Sequence, residues 1–197
     1  MRIGVLAVQG SFSLHVGMLR SIGVEPYEIR RSKDLEKVDG IILPGGESTT
    51  FEIVMGRDDF GEKLRRAIQE GLPAWGTCAG AIMLGRNRND RVKGWGLIDI
   101  EVTRNAYGRQ KDSFVAPIKI KGFNEEFTGV FIRAPMFEKP GSGVDILAQF
   151  ERNPVVAKQD NIMITSFHPE LTSDGRVHEY FITEFCRKTD WGNIKSA

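Results

Sequence analysis

Apolar and polar positions alternate in blocks through the first half of the chain, and these blocks predict strands and helices in turn. Continuous apolar runs, typical of strands covered on both faces, fall at residues 3–8, 24–29, 38–43 and 73–76. Helical spacing joins two further sets of apolar residues, Phe12, Val16, Leu19 and Ile22, and Phe60, Leu64, Ala67 and Ile68. Gly23 and Gly71 should end these helices, and Ser48 should begin another that runs to Met55. The alternation predicts a doubly wound, flavodoxin-like α/β fold with a mostly parallel sheet.

The second half of the chain has a different pattern, in which short apolar runs follow one another without long helical segments. The runs fall at residues 97–102, 114–120, 130–132, 145–150, 155–158 and 162–167. We therefore predict added antiparallel strands, some of which extend the sheet. A final helix is predicted from about Asp174 to Lys188, and the tail at about 190–197 is expected to fray. Because no linker or repeat interrupts the pattern, we expect a single domain over residues 1–197.

Composition and charge exclude several classes of function. The net charge is +1, from 27 basic and 26 acidic side chains, and this balance gives no attraction to nucleic acid or to an anionic membrane. No apolar run approaches the ~20 residues of a transmembrane helix. Two cysteines without a secretion signal indicate a reducing compartment, so we expect a cytoplasmic protein. The absence of a CxxC motif or a His-Cys cluster predicts no metal site, and we expect no cofactor.

One apolar run leads into the segment 76–80, Gly-Thr-Cys-Ala-Gly, which then opens a small-residue helix. This order is typical of a nucleophile elbow, a sharp strand-to-helix turn that lifts a reactive side chain out of the sheet. The start of the helix favours an anion, and therefore a thiolate on Cys78. The backbone N–H of Ala79 would face a developing oxyanion. The alternative is a small buried cysteine at a tight turn.

A second motif, Ser-Phe-His-Pro-Glu at 166–170, follows the last apolar run of the predicted sheet. Side chains two apart in an extended segment point the same way, so Glu170 can orient His168. Together with Cys78 they would form a nucleophile, a base and an orienting carboxylate. The alternative for His168 is a polar loop histidine. The other two histidines, His15 and His178, are expected at helix surfaces or edges, and neither has a nearby acidic residue at strand spacing in the sequence.

Three further turns carry residues with possible roles. The segment 45–48, Gly-Gly-Glu-Ser, either forms an ordinary turn capped by Ser48 or offers the Gly46 amide to an oxyanion hole with Ala79. In the second case, the Gly46 peptide could flip and switch the hole. The segment lacks the Gly-Lys-Ser/Thr ending of a phosphate loop. The turns at 104–110 and 131–135 carry arginines, which are either surface residues or clamps for a substrate carboxylate.

These motifs resemble a known family. Segments 76–80 and 166–170 resemble those of the class I, triad-type glutamine amidotransferases. Five stretches, at 4–10, 43–50, 104–110, 131–135 and 166–172, resemble one branch more closely, the glutaminase subunit of pyridoxal 5′-phosphate synthase. The resemblance covers nearly the whole chain up to the final helix, and it implies the class I glutamine amidotransferase fold.

The resemblance also implies a reaction and a partner. Cys78 would attack the side-chain amide of L-glutamine, His168 would move the proton, and the amides of Gly46 and Ala79 would hold the oxyanion. The residues implied in glutamine binding are Gly46, Glu47, Ser48, Arg104, Ile132 and Arg133. Ammonia would pass to a synthase subunit, a (β/α)₈ barrel that makes pyridoxal 5′-phosphate. Gln9 is the position that we connect with partner contact and with switching of the oxyanion hole.

Three alternatives remain at this point. The chain could be another glutaminase of the superfamily that feeds a different synthase, although the branch-specific stretches argue against it. It could be a cysteine-elbow hydrolase or chaperone, but those proteins place a histidine where Ala79 stands. It could be a silent regulatory subunit, although such domains usually lose the cysteine or the histidine. The arginine-rich stretch 86–91 is interpreted as a solvated loop, and Cys186 as a packing or surface thiol.

Overall fold

A seven-stranded sheet lies at the centre of the computed structural model, which describes residues 1–7, 11–46, 59–87, 93–104, 113–189 and 191. In spatial order its strands are β2 (Glu25–Ile29), β1 (Arg2–Leu6), β3 (Gly40–Leu43), β4 (Ala74–Thr77), β11 (Ile162–Thr165), β10 (Asn153–Gln159) and β9 (Asp145–Phe150). The first five strands are parallel to one another, and β10 runs antiparallel to its two neighbours, β11 and β9. The predicted mostly parallel sheet with an antiparallel extension is therefore confirmed, but the prediction that the run 162–167 is antiparallel is wrong, because β11 pairs in parallel with β4.

Four α-helices in the described residues connect or cover these strands. They are α1 (Phe12–Ser21), α2 (Phe60–Gln69), α3 (Ala79–Leu84) and α4 (Arg176–Phe181). A π-helical turn, Ile182–Cys186, continues α4, so the final helix is shorter than predicted. Short 3₁₀ helices span Ser32–Lys37 and Pro169–Leu171. The helix predicted from Ser48 to Met55 lies outside the described residues.

Four more strands form two small ribbons beside the main sheet. Strand β5 (Glu101–Thr103) pairs with β8 (Met136–Glu138), and β6 (Ser113–Ile118) pairs with β7 (Phe127–Ile132). The prediction of a strand over 97–102 is wrong for its first four residues. The amides of Leu97 and Ile98 instead donate to the carbonyl of Leu84, at 2.8 and 3.2 Å, which holds the segment against the end of α3.

The core lies on both faces of the sheet. Leu43 of β3 faces a cluster with Leu64 of α2, whereas its neighbour Ile42 faces a cluster with Leu19 of α1. Adjacent strand residues therefore enter different clusters, which explains why the strand sequences are continuously apolar. Trp191, in the tail expected to fray, is buried and donates its Nε1–H to the carbonyl of Val38 at 3.2 Å.

None of the helices described here has the length and apolar character needed to cross a lipid bilayer.

Candidate active site

Cys78 stands at a sharp turn between β4 and α3. Its φ of 48° and ψ of −103° place a residue with a Cβ in a strained backbone region. Two glycines make the turn possible. A Cβ on Gly80 would lie 2.0 Å from the carbonyl oxygen of Leu43, and one on Gly76 would lie 2.6 Å from the carbonyl of Gly80. The backbone geometry expected of a nucleophile elbow is therefore present at Cys78.

The elbow has the features that the sequence predicted for an oxyanion site. Cys78 is the residue that precedes α3, and its amide donates to the carbonyl of Thr165 at 2.9 Å. That bond ties the elbow to the neighbouring strand β11. Ala79 is the first residue of α3, so no carbonyl of its own helix can accept a hydrogen bond from its amide. This N–H is available to an anion that forms beside Cys78.

His168 and Glu170 lie together next to the elbow. Nδ1 of His168 is 2.8 Å from Oε1 of Glu170, and both residues are buried. The amide of His168 donates to the carbonyl of Val130 at 2.8 Å, which fixes the backbone from which the imidazole projects. The sequence predicted that Glu170 orients His168 because the segment would be extended, but the backbone after His168 is not extended. The 3₁₀ turn Pro169–Leu171 begins directly after His168 and folds Glu170 back toward the imidazole.

The protonation of His168 is governed by its two neighbours. Burial alone would lower its pKa, but hydrogen bonds and charge interactions with Cys78 and Glu170 raise the pKa to about 10. Gly45 packs against both the imidazole and the Cys78 side chain, so these two groups are neighbours. An imidazolium between a cysteine and a carboxylate can give its proton to a leaving group.

Glu170 is held as an anion. Burial alone would raise its pKa, but His15, His168 and the hydroxyl of Ser11 lower the pKa to about 2. Ser11 donates its Oγ–H to Oε1 of Glu170 at 2.5 Å, so this oxygen receives two hydrogen bonds. A buried carboxylate with such contacts can orient an imidazole and stabilise its charge.

The glycine turn after β3 packs directly on these side chains. A Cβ on Gly45 would lie 2.3 Å from Cε1 of His168 and 3.4 Å from Cβ of Cys78. The carbonyl of Gly45 accepts a hydrogen bond from the amide of Ser11 at 3.3 Å. Gly46 follows with a φ of 153°, in the region that favours glycine. The structure thus brings the predicted Gly-Gly turn against the predicted nucleophile and base.

The three other predicted glutamine-binding residues that the structure describes lie at the ends of the small ribbons. Ile132 ends β7 and is partly exposed, and the exposed Arg133 follows with a φ of 43°. Arg104 follows β5, and the pairing of Thr103 with Met136 brings it beside the turn that contains Arg133. Among the described residues, neither guanidinium has a carboxylate partner. The predicted site residues Gln9, Glu47 and Ser48 lie outside the described residues.

The expectation for the two remaining histidines was wrong. His15 and His178 are fully buried, and His15 has an acidic partner, because its Nε2 lies 3.4 Å from Oε2 of Glu170. Nδ1 of His15 is 2.9 Å from Nε2 of His178. The sequence did contain a signal for this. His15 follows Phe12 by three residues on the apolar face of α1, and His178 lies between buried residues of α4.

Two sequence features without an assigned role have structural partners. Arg86 is held by Oδ1 of Asp99, at 3.0 Å from its Nε, and by the carbonyl of Lys139, while most of the stretch 86–91 lies outside the described residues. Cys186 is buried, which confirms a packing thiol, and burial together with Asp39 raises its pKa. Both cysteines are free. Within the described ranges, no group of His, Cys, Asp and Glu side chains is arranged to hold a metal ion.

Comparison with known proteins gives a consistent result. The model of the SNO glutamine amidotransferase family matches residues 5–187. A protein of Fervidobacterium nodosum named pyridoxal 5′-phosphate synthase subunit PdxT is 51% identical over 183 residues, which are 92% of this chain and 96% of that protein. A protein of the same name from Carboxydothermus hydrogenoformans is 46% identical over 189 residues, 95% of this chain and 99% of that protein. The crystal structure of a glutamine amidotransferase, 41% identical, matches with a TM-score of 0.87 and covers 92% of this chain and 97% of its own.

Proposed function

The chain belongs to the SNO glutamine amidotransferase family, and from this we propose that it hydrolyses L-glutamine to L-glutamate and ammonia for a pyridoxal 5′-phosphate synthase. The observation that carries the proposal is the arrangement of Cys78, His168 and Glu170. A cysteine at a strained elbow lies beside an imidazole, because both pack on Gly45, and that imidazole lies 2.8 Å from a buried carboxylate. The names of the curated relatives support the choice of synthase.

The reaction follows from the positions of the three side chains. Because Nδ1 of His168 faces Glu170, Nε2 is the nitrogen left for Cys78. The Cys78 thiolate attacks the side-chain carbonyl carbon of glutamine, and the C–N bond breaks as the His168 imidazolium gives its proton to the leaving nitrogen. Ammonia departs and a glutamyl thioester remains. Water then attacks the thioester, His168 takes the water's proton and returns it to sulfur, and glutamate leaves.

The oxyanion of each tetrahedral intermediate would be held by the amides of Ala79 and Gly46. Ala79 begins α3, so its N–H is free of helix bonding. Gly45 packs on His168 and Cys78, and this contact brings the next peptide within reach of the reacting carbon. Removing one such donor typically costs about 10²-fold in turnover. A flip of the Gly46 peptide would switch the hole on and off.

The α-carboxylate of glutamine would be captured by Arg104 and Arg133, beside Ile132. Their guanidinium groups share one end of the two ribbons and have no acidic partner in the described part of the chain. Planar guanidinium groups bind carboxylates through paired hydrogen bonds. Glu47 and Ser48 would complete the glutamine site with Gly46. Gln9 would lie where the synthase subunit, a (β/α)₈ barrel, makes contact, and the complex would act in the cytoplasm.

The test is release of glutamate from L-glutamine by the purified chain, alone and with the synthase subunit from the same organism. We expect a low rate for the isolated chain and a sharp rise with the partner, together with transfer of ammonia into pyridoxal 5′-phosphate. A partner that binds without any glutamate release would instead favour a silent regulatory subunit. High activity without the partner would retain the glutaminase and contradict the switch at Gly46.

A further inference from the structure

The catalytic carboxylate has a second face that the reaction described above does not use. Oε1 of Glu170 receives hydrogen bonds from His168 and Ser11. Oε2 of Glu170 has no hydrogen-bond partner among the described residues, and Nε2 of His15 lies 3.4 Å from it and 3.5 Å from Oγ1 of Thr77. Behind His15 stands His178, whose Nε2 is 2.9 Å from Nδ1 of His15. The side chains of His168, Glu170, His15 and His178 therefore form one continuous line from the active site into the core.

Burial and packing hold this pair of histidines in place. His15 and His178 are both 0% exposed. The Trp75 ring meets each imidazole edge to face, with centroids 5.6 Å from His15 and 4.8 Å from His178. Trp75 belongs to β4, the strand that ends at the nucleophile. The pair thus lies between α1, α4 and the strand that carries the elbow, where neither imidazole can turn toward solvent.

The geometry fixes which nitrogens carry protons. If His15 donated to His178, its Nε2 would turn a lone pair toward the carboxylate, and Nδ1 of His178 would become a buried N–H without an acceptor in the described residues. In the opposite arrangement, Nε2–H of His178 donates to His15, and Nε2–H of His15 faces Glu170. Nδ1 of His178 then has only an unpaired lone pair, and Oε2 of Glu170 is without a hydrogen-bond partner among the described residues in either arrangement. An unpaired lone pair on a neutral ring is the smaller loss, so both N–H bonds point toward Glu170.

Both imidazoles remain neutral in this arrangement. Burial lowers the pKa of His15, with Glu170 raising it and His168 lowering it. Burial also lowers the pKa of His178 well below its usual value, with His15 lowering it and Glu170 raising it. These are the titratable groups that face the pair. A neutral His15 turns an N–H dipole toward the carboxylate, 3.4 Å from Oε2, without cancelling the charge that Glu170 must offer to His168.

We propose that His15 and His178 are positioning residues of the glutaminase reaction, which hold Oε2 of Glu170 so that Oε1 stays aligned with His168. The inference rests on the proposed triad. Two imidazoles in an otherwise apolar layer are costly to bury, and an apolar pair would fill the same space between α1 and α4. What an apolar pair could not supply is a directed N–H toward Glu170. The pair therefore acts on the reaction through the carboxylate and not through contact with glutamine.

The experiment measures the rate at which iodoacetamide alkylates Cys78 as a function of pH, with peptide mass spectrometry to assign the labelled thiol. This readout needs neither the synthase subunit nor glutamine. In His15→Leu, Oε2 of Glu170 loses the N–H dipole that lies 3.4 Å from it, the carboxylate can turn away from His168, and Cys78 should react only at higher pH. We expect the midpoint of the pH profile to rise by about one unit. In the complex with the synthase subunit, kcat should fall about 10-fold with KM for glutamine nearly unchanged.

Two further variants separate the effect of the His15 N–H group from the effect of packing around it. In His15→Gln, the side-chain amide can donate to Glu170 and accept from His178, and it should restore the wild-type midpoint. Phe181 of α4 packs on Trp75, with 5.7 Å between the ring centroids. Phe181→Leu shortens this side chain without any change to Glu170, so the midpoint of the labelling profile should equal that of the wild type. Should His15→Leu fail to fold, His178→Leu replaces it, with an expected shift of about half the size.

Each other outcome contradicts a stated part of the inference. Midpoints that agree in wild type, His15→Leu and His178→Leu would overturn the positioning role. Equal shifts in His15→Leu and Phe181→Leu would overturn it in favour of packing. If His168→Ala leaves the pH profile of Cys78 labelling the same as in the wild type, the proposed triad itself is overturned, and the inference with it.

Discussion

At the scale of single residues, the reaction depends on one backbone angle and one line of side chains. The φ of 48° at Cys78 turns the chain so abruptly that the thiol leaves the sheet at the edge where His168 and Glu170 arrive from β11. The cost of such a strained residue is about 1–3 kcal/mol. Close packing around Gly76 and Gly80 holds it in place.

Replacing the nucleophile should separate this strain from the chemistry. Cys78→Ala should lower glutamine hydrolysis by at least ~10³-fold, because no thioester can form. Cys78→Gly should be equally inactive but more stable than Cys78→Ala by about 1 kcal/mol, since glycine adopts positive φ without strain. Glutamate release and urea unfolding measure the two effects. Retained hydrolysis in Cys78→Ala would refute the assignment of the nucleophile.

The arginines should affect binding more than folding. Arg104→Ala and Arg133→Ala should each raise KM for glutamine about 10-fold, because each removes a partner of the α-carboxylate. The free energy of unfolding should change by less than about 0.5 kcal/mol for Arg133, which is exposed, since exposed side chains without ion pairs contribute little. Steady-state kinetics in the complex with the synthase subunit provides the measurement. A KM equal to that of the wild type would mean that both arginines are surface residues without a role in glutamine binding.

The free energy of unfolding should depend on pH through Glu170 and His168, which are both buried. The pKa of Glu170 is lowered to about 2 in the folded chain, so its contribution is complete above the unfolded value of about 4.5 and is lost as the pH falls toward 2. The pKa of His168 is raised to about 10, so its contribution is complete below about 6.5 and is lost as the pH rises toward 10. Together they contribute most between about pH 4.5 and 6.5.

Glu170→Gln tests the acid side of this dependence. The variant should unfold with a flatter dependence on pH below about 4.5, because it has no carboxylate to protonate. Asp145→Asn is a matched control, since its carboxylate is 73% exposed and lies 3.9 Å from Lys158, and it should keep the wild-type slope. Urea titrations from pH 3 to pH 7 give the two curves. The same slope in both variants would contradict the burial of charge at Glu170.

At the scale of elements, the contact between α3 and β3 holds the site together. Gly80 brings the backbone of α3 against the carbonyl of Leu43, and the Gly-Gly turn begins two residues later. Helix α3 therefore cannot move away from β3 without separating the elbow from that turn.

A methyl group at this contact should reveal its importance. Gly80→Ala places a Cβ 2.0 Å from a backbone oxygen, so it should destabilise the fold by at least 2 kcal/mol, on the order of other overpacked cores, and lower kcat. Gly17→Ala is the control, because its Cβ meets nothing within 4 Å in the middle of α1. It should stabilise the protein by about 0.5–1 kcal/mol. Thermal unfolding of both variants measures these changes in stability. If Gly80→Ala did not lower the stability, the backbones of α3 and β3 would be able to move apart without cost.

At the scale of the whole molecule, the sequence predicts most of what parallel strands impose. Continuous apolar runs identified four of the five parallel strands, whereas β11 was expected among the antiparallel strands. The edge where the parallel strands end brings Cys78 and His168 together although 90 residues separate them. The ribbon β5–β8 was partly missed, because strands of three residues leave little periodicity to detect. The turn after His168 was misread because Pro169 starts a 3₁₀ helix, which a local motif does not distinguish from an extended exit.

The largest miss has a different cause. His15 and His178 were expected near the surface because histidine is polar, yet both occupy apolar helix faces. The pattern of hydrophobic positions identifies a buried face, but it does not identify which polar residue on that face will find a partner. Only the meeting of α1 and α4 behind Glu170 supplies that partner, and this meeting is a property of the tertiary structure.

Ser11 gives the molecule a further property. Its amide binds the carbonyl of Gly45 and its hydroxyl binds Glu170, so a single residue fastens both the turn beside the substrate and the carboxylate behind the base. A displacement of Ser11 would disturb both together. Because the turn at Gly45 and the Glu170 carboxylate share this one anchor, a change that shifts Ser11 reaches the two sides of the proposed site at the same time.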